Sequence, residues 1–111
     1  MLTLSNARVV LLDPQGSITK QTAHEFKALA SQVLSSGQYA ALIVDMHAVE
    51  SLDSDGLMAL VSVLNSAQQA NCSLKLCNIS PAIQIILEVS QLERAFEILD
   101  ERPAARSSLA A

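Results

Sequence analysis

The residues with the greatest potential for chemistry are crowded into one segment in the middle of the chain. Ser54 stands between Asp53 and Asp55, and two more carboxylates, Asp45 and Glu50, lie a few residues earlier. A serine hydroxyl can accept a phosphoryl group, which would add a charge of about −1.5 to −2 beside these carboxylates. The segment therefore predicts a site whose chemistry is controlled by charge.

Metal binding is a second chemistry that this segment could support. The four carboxylates offer oxygen atoms of the kind that bind Mg²⁺, but crowded acidic side chains in a loop are more often a solvated surface, so we expect no metal. The cluster also resembles the acidic pocket of a response-regulator receiver, for which Asp13 and Asp45 are the nearest candidates. That pattern needs a Lys at the end of a late strand, and Lys75 falls inside its strand.

Hydrolysis is a third chemistry, with Ser54, His47 and an Asp as the triad. The sequence lacks the Gly-x-Ser-x-Gly elbow and a clear oxyanion loop. It also lacks a Gly-x-Gly-x-x-Gly or Walker-type loop, and with three glycines it has little to hold a nucleotide. We therefore expect neither enzyme activity nor a cofactor.

Composition and charge narrow the class of protein. A chain of 111 residues, 50% of them hydrophobic, suits one domain, which we place at residues 1–100, with residues 101–111 as a disordered tail. No apolar run approaches the roughly 20 residues of a membrane span, and the start lacks the features of a secretory signal. Two cysteines are too few for a disulfide framework or a zinc site, so we expect a cytoplasmic protein.

The distribution of charge indicates the kind of partner. The net charge is −4, and no Lys or Arg occurs between Lys27 and Lys75. A protein that binds nucleic acid needs clustered cations, so this acidic middle argues against DNA or RNA. It favours a partner protein with a basic surface.

The elements that must position this chemistry follow from periodicity. Apolar runs predict strands at Leu2–Leu4, residues 7–12, residues 40–44 and Ser73–Cys77. Amphipathic runs predict a helix from Thr19 or Thr22 to Gly37, with Thr22-x-x-Glu25 at capping-box spacing. They also predict a second helix on the stripe Leu57, Leu60, Val61 and Leu64, a third from Ser80-Pro81 that carries Ile83, Ile86 and Leu87, and a last turn or helix with Leu92, Ala95 and Phe96.

This alternation predicts an α/β fold. Strands that alternate with helices pair in parallel through right-handed crossovers, and the first hairpin is antiparallel. We expect a mostly parallel sheet of four to five strands, an antiparallel N-terminal strand and about four helices. The acidic segment would then leave the carboxyl end of a central strand, where such folds usually carry their functional residues.

Residues 53–57, Asp-Ser-Asp-Gly-Leu, follow an apolar strand and a loop that begins at Asp45. This arrangement resembles the STAS domain in its anti-sigma factor antagonist branch, where an apolar strand ending in Asp precedes a loop and an Asp-Ser-(Ser or Ala)-Gly-(Leu or Ile) turn. The resemblance extends over residues 9–96 and includes residues 16–19, Gly-Ser-Ile-Thr, and residues 74–78, Leu-Lys-Leu-Cys-Asn. It implies a small STAS-like fold.

The resemblance also implies a function. In that branch, a partner kinase with an ATPase fold, which is also the anti-sigma factor, phosphorylates the serine after the motif Asp, and a metal-dependent serine phosphatase reverses the reaction. Ser54 is then the phosphoacceptor of a regulator that binds the kinase when unphosphorylated and relieves its inhibition of a target. Asp55 departs from the pattern, because the family commonly has Ser or another small residue there. The alternative is a STAS domain that acts as a scaffold or small-ligand sensor without phosphorylation.

We expect the partner-binding surface around the motif, in a monomer or weak dimer. Gly56 lacks a side chain and would let a partner's backbone approach, and Met58 lies off the apolar stripe of its helix, as suits an adaptable contact. Either Asp53 or Ser54 can in addition cap the second helix. The residues expected to bind the partner are Val49, Glu50, Asp53, Ser54, Asp55, Gly56 and Met58.

Overall fold

Short apolar runs and amphipathic runs alternate in the structure as they do in the sequence. The computed structural model describes residues 2–4 and 8–99, and these residues form seven strands and three helices. In chain order the elements are β1 (Leu2–Leu4), β2 (Val9–Leu12), β3 (Gly16–Ile18), α1 (Lys20–Ser35), β4 (Ala41–Asp45), β5 (Val49–Leu52), α2 (Ser54–Gln69), β6 (Ser73–Cys77), α3 (Pro81–Val89) and β7 (Glu97–Leu99).

The main sheet has five strands in the order β1-β2-β4-β6-β7. Strand β1 pairs antiparallel with β2, whereas β2 with β4, β4 with β6, and β6 with β7 are parallel pairs. The predicted α/β fold is thus confirmed, including the antiparallel N-terminal strand. Because β2, β4 and β6 run in the same direction, their carboxyl ends meet at one edge, where Asp45 lies beside Cys77.

The helices and one face of this sheet form the core. Alternate strand residues share one buried cluster with the inward faces of all three helices, whereas Leu11, Ile43 and Cys77 form a second, smaller cluster. Each fully buried Leu or Ile stabilises the fold by about 1.5–3 kcal/mol. On α1 the predicted apolar stripe is confirmed, since its buried residues are Ala23, Phe26, Ala30, Val33 and Leu34.

Helix α1 begins one turn earlier than the predicted capping box. Thr19 is the N-cap, and its backbone N–H donates to the Thr22 hydroxyl at 2.9 Å. That hydroxyl donates in turn to the Ser17 carbonyl at 2.8 Å. The Thr22-x-x-Glu25 capping box is therefore wrong, because Thr22 already lies inside the helix. Gly37, with a φ of +68°, follows the last turn as predicted.

The cap of α3 agrees with the sequence. Ser80 accepts a hydrogen bond from the Ile83 N–H at 3.3 Å, and Pro81 is the first helical residue. Pro has no N–H to leave unpaired at that position, so the Ser-Pro pair fixes where the helix begins.

Strands β3 and β5 were not predicted. They form a separate parallel pair that joins Gly16 to Val49 and Ile18 to Leu52. Each is three or four residues long, and the middle of β5 consists of exposed Glu50 and Ser51. So short and polar a run carries no strand signal, and these strands form because the surrounding chain brings them together.

The last part of the described chain also differs from the prediction. The segment after α3 makes a turn and then β7, with Phe96 buried, rather than a fourth helix. The run with Leu92, Ala95 and Phe96 is too short to sustain a helix once β6 offers an open edge to pair with. Residues 5–7, which include the first residue of the second predicted strand, and the predicted tail at 101–111 lie outside the described residues.

Candidate functional site

Ser54 is the first residue of α2, and its side chain is exposed. The preceding residue, Asp53, is the N-cap, and its Oδ1 accepts a hydrogen bond from the Gly56 N–H at 2.8 Å. Capping is therefore the role of Asp53. Within the described part of the chain, no residue forms a hydrogen bond with the Ser54 hydroxyl, which leaves it accessible to a reagent from solvent.

Gly56 brings the start of α2 into direct contact with β3. A Cβ at this position would overlap the carbonyl oxygen of Ile18 and lie 2.9 Å from Leu52 Cδ1. The same carbonyl accepts the Asp53 N–H at 3.4 Å. The absent side chain of Gly56 therefore makes room for this chain's own strand β3. The expectation that it makes room for a partner's backbone is wrong. The consequence for Ser54 is that the turn on which it stands is fixed.

The remaining residues expected to bind a partner divide into buried and exposed groups. The Val49 side chain is only 3% exposed and packs in the core, so its contribution is to hold β5. Met58 is 62% exposed, although it is a large apolar residue. We refer to the exposed members of the set as the acidic surface, which comprises Glu50, Asp53, Ser54, Asp55 and Met58.

A second group of polar residues lies at the carboxyl edge of the main sheet. Asp45 ends β4 and is 1% exposed. Its Oδ1 accepts hydrogen bonds from the His47 backbone N–H at 3.0 Å and from Asn78 Nδ2 at 3.1 Å. His47 Nδ1 is 2.9 Å from the same oxygen and 3.5 Å from Asp13 Oδ1. Asn78 reaches Asp45 because it follows β6 directly, with a φ of +55°.

These contacts decide the charge of Asp45. Burial raises the pKa of its carboxyl, but the His47 backbone N–H, the Asn78 amide and the His47 ring together outweigh burial and lower the pKa below its ordinary value of 3.8. The carboxylate is therefore charged near neutral pH. Through its hydrogen bonds with His47 and Asn78, it links the start of the segment that leads to Ser54 to the ends of β4 and β6.

The structure also tests the Mg²⁺ site that was considered from the sequence. Among the described residues, the ligand atoms that come together belong to Asp13, Asp45 and His47, a group that does not include Glu50, Asp53 or Asp55. The four-carboxylate Mg²⁺ site weighed from the sequence is therefore not assembled.

The contacts of the same residues can be compared with the receiver and hydrolase patterns. Asp13 and Asp45 meet at His47, while Lys75 lies within β6 and pairs with Glu97 at 3.3 Å. The His47 ring faces these two aspartates, and none of the hydrogen bonds among the described residues joins it to Ser54.

Sequence reasoning missed the partners of Asp45. In the sequence, His47 was considered only as a candidate member of a hydrolytic triad, and Asn78 only as part of the motif at residues 74–78. The available signal was positional: His47 and Asn78 each follow the carboxyl end of a strand, and the ends of parallel neighbours lie side by side.

Comparison with known proteins agrees with this geometry. The family model described as the STAS domain matches residues 2–105. The chain belongs to the STAS domain family. No helix among the described residues of this STAS domain has the length and apolar character needed to cross a membrane.

Three known proteins are similar to this STAS domain in sequence or structure. A Thermotoga neapolitana protein, named as an anti-sigma factor antagonist and TM1081 homolog, is 26% identical over 92 residues, which are 83% of this chain and 81% of that protein. The crystal structure of TM1081 from Thermotoga maritima, described as an anti-sigma factor antagonist, has a TM-score of 0.82 at 26% identity and covers 90% of this chain and 85% of its own. The phosphorylated form of SpoIIAA, a Bacillus cell fate determinant, has a TM-score of 0.71 at 17% identity, covers 91% of each chain, and shows a shared fold.

Gly56→Ala tests the contact between α2 and β3. The new Cβ would overlap the Ile18 carbonyl, which is backbone and moves only with its strand, so we expect the free energy of unfolding to fall by about 2 kcal/mol or more in urea denaturation. Gly37→Asn is the control, because Asn adopts the left-handed backbone readily and a Cβ there meets nothing within 4 Å. A neutral or stabilising Gly56→Ala, as for a glycine in an open helix, would contradict the contact.

Asp45→Asn tests the buried carboxylate through pH. The folded pKa is lower than the unfolded value of 3.8, so the stabilisation is present above pH 3.8 and is lost as the pH falls through the folded pKa. The variant should lose about 1–3 kcal/mol of unfolding free energy at pH 7 and show a shallower decline than wild type below pH 4. Glu25→Gln, at an exposed position on α1, should change the pH 7 value by less than about 0.5 kcal/mol. Parallel pH profiles for wild type and Asp45→Asn would contradict the account.

Proposed function

We propose that this STAS domain is a phosphorylation-switched anti-sigma factor antagonist. In its unphosphorylated form, the acidic surface binds a serine kinase of the anti-sigma-factor type, with an ATPase fold, and relieves the inhibition that this kinase exerts on its target. Phosphorylation of Ser54 breaks the complex, and a metal-dependent serine phosphatase restores it. In this role the domain is a cytoplasmic binding module and not a catalyst.

The main support for the proposal is that Ser54 is exposed and does not cap the helix. Its side chain is exposed at the first position of α2, and capping is performed by Asp53 instead. A kinase can therefore reach the hydroxyl without first breaking the start of the helix. Two relatives at 26% identity are named or described as anti-sigma factor antagonists, and this agrees with the role.

The chemistry of the acidic surface indicates what the partner must offer. Glu50, Asp53 and Asp55 are exposed, and no Lys or Arg occurs in the sequence between Lys27 and Lys75. Met58 adds an exposed apolar side chain one turn into the helix. A complementary partner would present a basic rim around an apolar recess that takes Met58.

A phosphate on Ser54 would change this surface more than any neutral modification. It adds a charge of about −1.5 to −2, directly between Asp53 and Asp55. A like-charge pair at 4 Å costs about 1 kcal/mol in water and about 4 kcal/mol at the effective dielectric of a protein surface. The Gly56 N–H, which could have stabilised a phosphate at this helix terminus, is already bonded to Asp53. Loss of about 3 kcal/mol would weaken binding roughly a hundredfold, which is sufficient for a switch.

One observation favours the second candidate, a STAS domain that senses a small ligand. A groove of about 220 Å³ lies between α1 and the segment from β2 to β3, and Leu12, Ile18, Phe26 and Leu29 supply most of its apolar lining. Its volume is below the roughly 300 Å³ at which pockets for drug-sized ligands begin, so only a small ligand would fit. Native mass spectrometry of freshly purified protein would detect such a ligand.

Ser54→Asp and Ser54→Ala test the switch against a purified anti-sigma-type kinase from the same genome. We expect Ser54→Asp to weaken binding, because it places a permanent charge in the surface, and Ser54→Ala to bind as tightly as wild type while resisting phosphorylation by the kinase and ATP. Calorimetry supplies the dissociation constants, and intact-mass spectrometry supplies the phosphorylation state.

Ser66→Asp is the matched control, because Ser66 is an exposed serine farther along the same helix. It should leave the affinity within about threefold of wild type, since exposed charges more than a Debye length apart, about 8–10 Å, interact weakly. Equal affinities for Ser54→Asp and wild type would contradict the electrostatic mechanism.

Met58→Ala tests the apolar contact separately. If Met58 enters a recess on the kinase, the variant should lose about 1–3 kcal/mol of binding energy, roughly a tenfold to hundredfold weaker dissociation constant. Its Tm should remain close to that of wild type, because the side chain is 62% exposed. Val89→Ala removes an apolar side chain that is 79% exposed on α3 and should bind normally. An unchanged affinity for Met58→Ala would remove Met58 from the interface.

A further inference from the structure

One buried carboxylate oxygen at the carboxyl edge of the main sheet has only a distant partner among the described residues. Asp13 Oδ1 is buried and forms no hydrogen bond with the described residues. His47 Nδ1 lies 3.5 Å from this oxygen and could donate a hydrogen bond to it. The same nitrogen is closer to Asp45 Oδ1, at 2.9 Å. Because Nδ1 carries at most one proton, it cannot donate well to both carboxylates. A buried carboxylate oxygen without a close donor is costly, so a cation that contacts Asp13 Oδ1 would stabilise the arrangement.

The three side chains already have the spacing of metal ligands. One ligand atom from each of Asp13, Asp45 and His47 lies within 4.8 Å of the other two. With Zn–N and Zn–O bonds of about 2.0–2.2 Å, ligands at neighbouring corners of a tetrahedron are about 3.3–3.6 Å apart. The separation of 3.5 Å between His47 Nδ1 and Asp13 Oδ1 falls in this range, whereas the 2.9 Å between His47 Nδ1 and Asp45 Oδ1 is shorter, so these two atoms would move apart on binding an ion. A dication between them would replace the one shared proton and contact both carboxylates.

The surroundings also suit a cation. The His47 backbone N–H and Asn78 Nδ2 both donate to Asp45 Oδ1 and fix the orientation of this carboxylate, as hydrogen-bond donors commonly do for the ligands of metal sites. Its neighbour in the cluster, the His47 ring, is 51% exposed, which leaves an entry path and room for water as a further ligand. One imidazole with two carboxylates is a donor set that first-row transition metals accept.

We propose that Asp13, Asp45 and His47 bind a first-row divalent metal ion, with Zn²⁺ as the best-fitting ion, and that Asn78 positions Asp45 for it. This site shares only Asp45 with the four-carboxylate Mg²⁺ site that was considered and not expected from the sequence, and which the described residues do not assemble. A bound ion would link the ends of β2 and β4 at the start of the segment that leads to Ser54. The site is independent of whether Ser54 is phosphorylated.

Zinc titration of the full-length, chelator-treated chain tests the proposal. We expect calorimetry to give one Zn²⁺ per chain and thermal unfolding to show a higher Tm with Zn²⁺, because an ion that binds only the folded state stabilises it. Mg²⁺ at the same concentration should give a smaller shift, since imidazole is a poor ligand for it. Absence of both the binding heat and the Tm shift in the wild type would overturn the proposal.

Four variants locate the ion. His47→Ala and Asp13→Asn each remove one ligand and should weaken Zn²⁺ binding at least about tenfold. Asn78→Gly keeps the left-handed backbone but removes the amide that donates to Asp45, and should weaken binding about 10- to 100-fold. His24→Ala, on the exposed face of α1, is the matched control and should bind as wild type does. The Tm of each variant without metal verifies that it is folded. If His47→Ala bound Zn²⁺ as tightly as the wild type, the ion would lie elsewhere and the proposed site would be refuted.

Discussion

The start of α2 rests on the backbone of β3, and the functional surface depends on this contact. Position 56 has no space for a side chain, because a Cβ there would overlap the Ile18 carbonyl oxygen. Glycine permits the approach, and Asp53 completes it by capping the helix and donating its own N–H to the same carbonyl. The backbone on both sides of Ser54 is thereby fixed. Its hydroxyl is held at an exposed helix terminus by contacts that do not involve the hydroxyl itself.

The acidic residues of the central segment have different roles because their environments differ. Asp45 is buried and surrounded by donors, so its charge anchors the segment. Asp53 satisfies a backbone N–H, and Asp55 is exposed in the first turn of α2. In the sequence these residues form one acidic run. In the fold, the buried carboxylate of Asp45 at the sheet edge stabilises the structure. The exposed carboxylates of Asp53 and Asp55 at the start of α2 are available to a partner.

Much of the fold could be predicted from the sequence, since long apolar stripes and clear caps are local signals. The stripe on α1, the Ser80-Pro81 start of α3 and the strand Ser73–Cys77 are examples. The pair β3 and β5, the true role of Gly56, and the Asn78–Asp45 hydrogen bond could not be predicted in this way. Each depends on residues far apart in sequence that only the folded chain brings together. The position of Ser54 near the start of α2 could be predicted, but the choice of Asp53 rather than Ser54 as the cap could not. Nor could the lack of a hydrogen-bond partner for Ser54 among the described residues.

The most direct test of the account is to map phosphorylation on the protein as it exists in its native cells. The protein would be isolated after growth under two contrasting conditions and analysed by mass spectrometry, with Ser51 and Ser62 as internal comparisons. We expect phosphate on Ser54 in one condition and its absence in the other, with the comparison serines unmodified in both. An unmodified Ser54 in both conditions, or phosphate on a different serine, would contradict the claim that Ser54 is the switch.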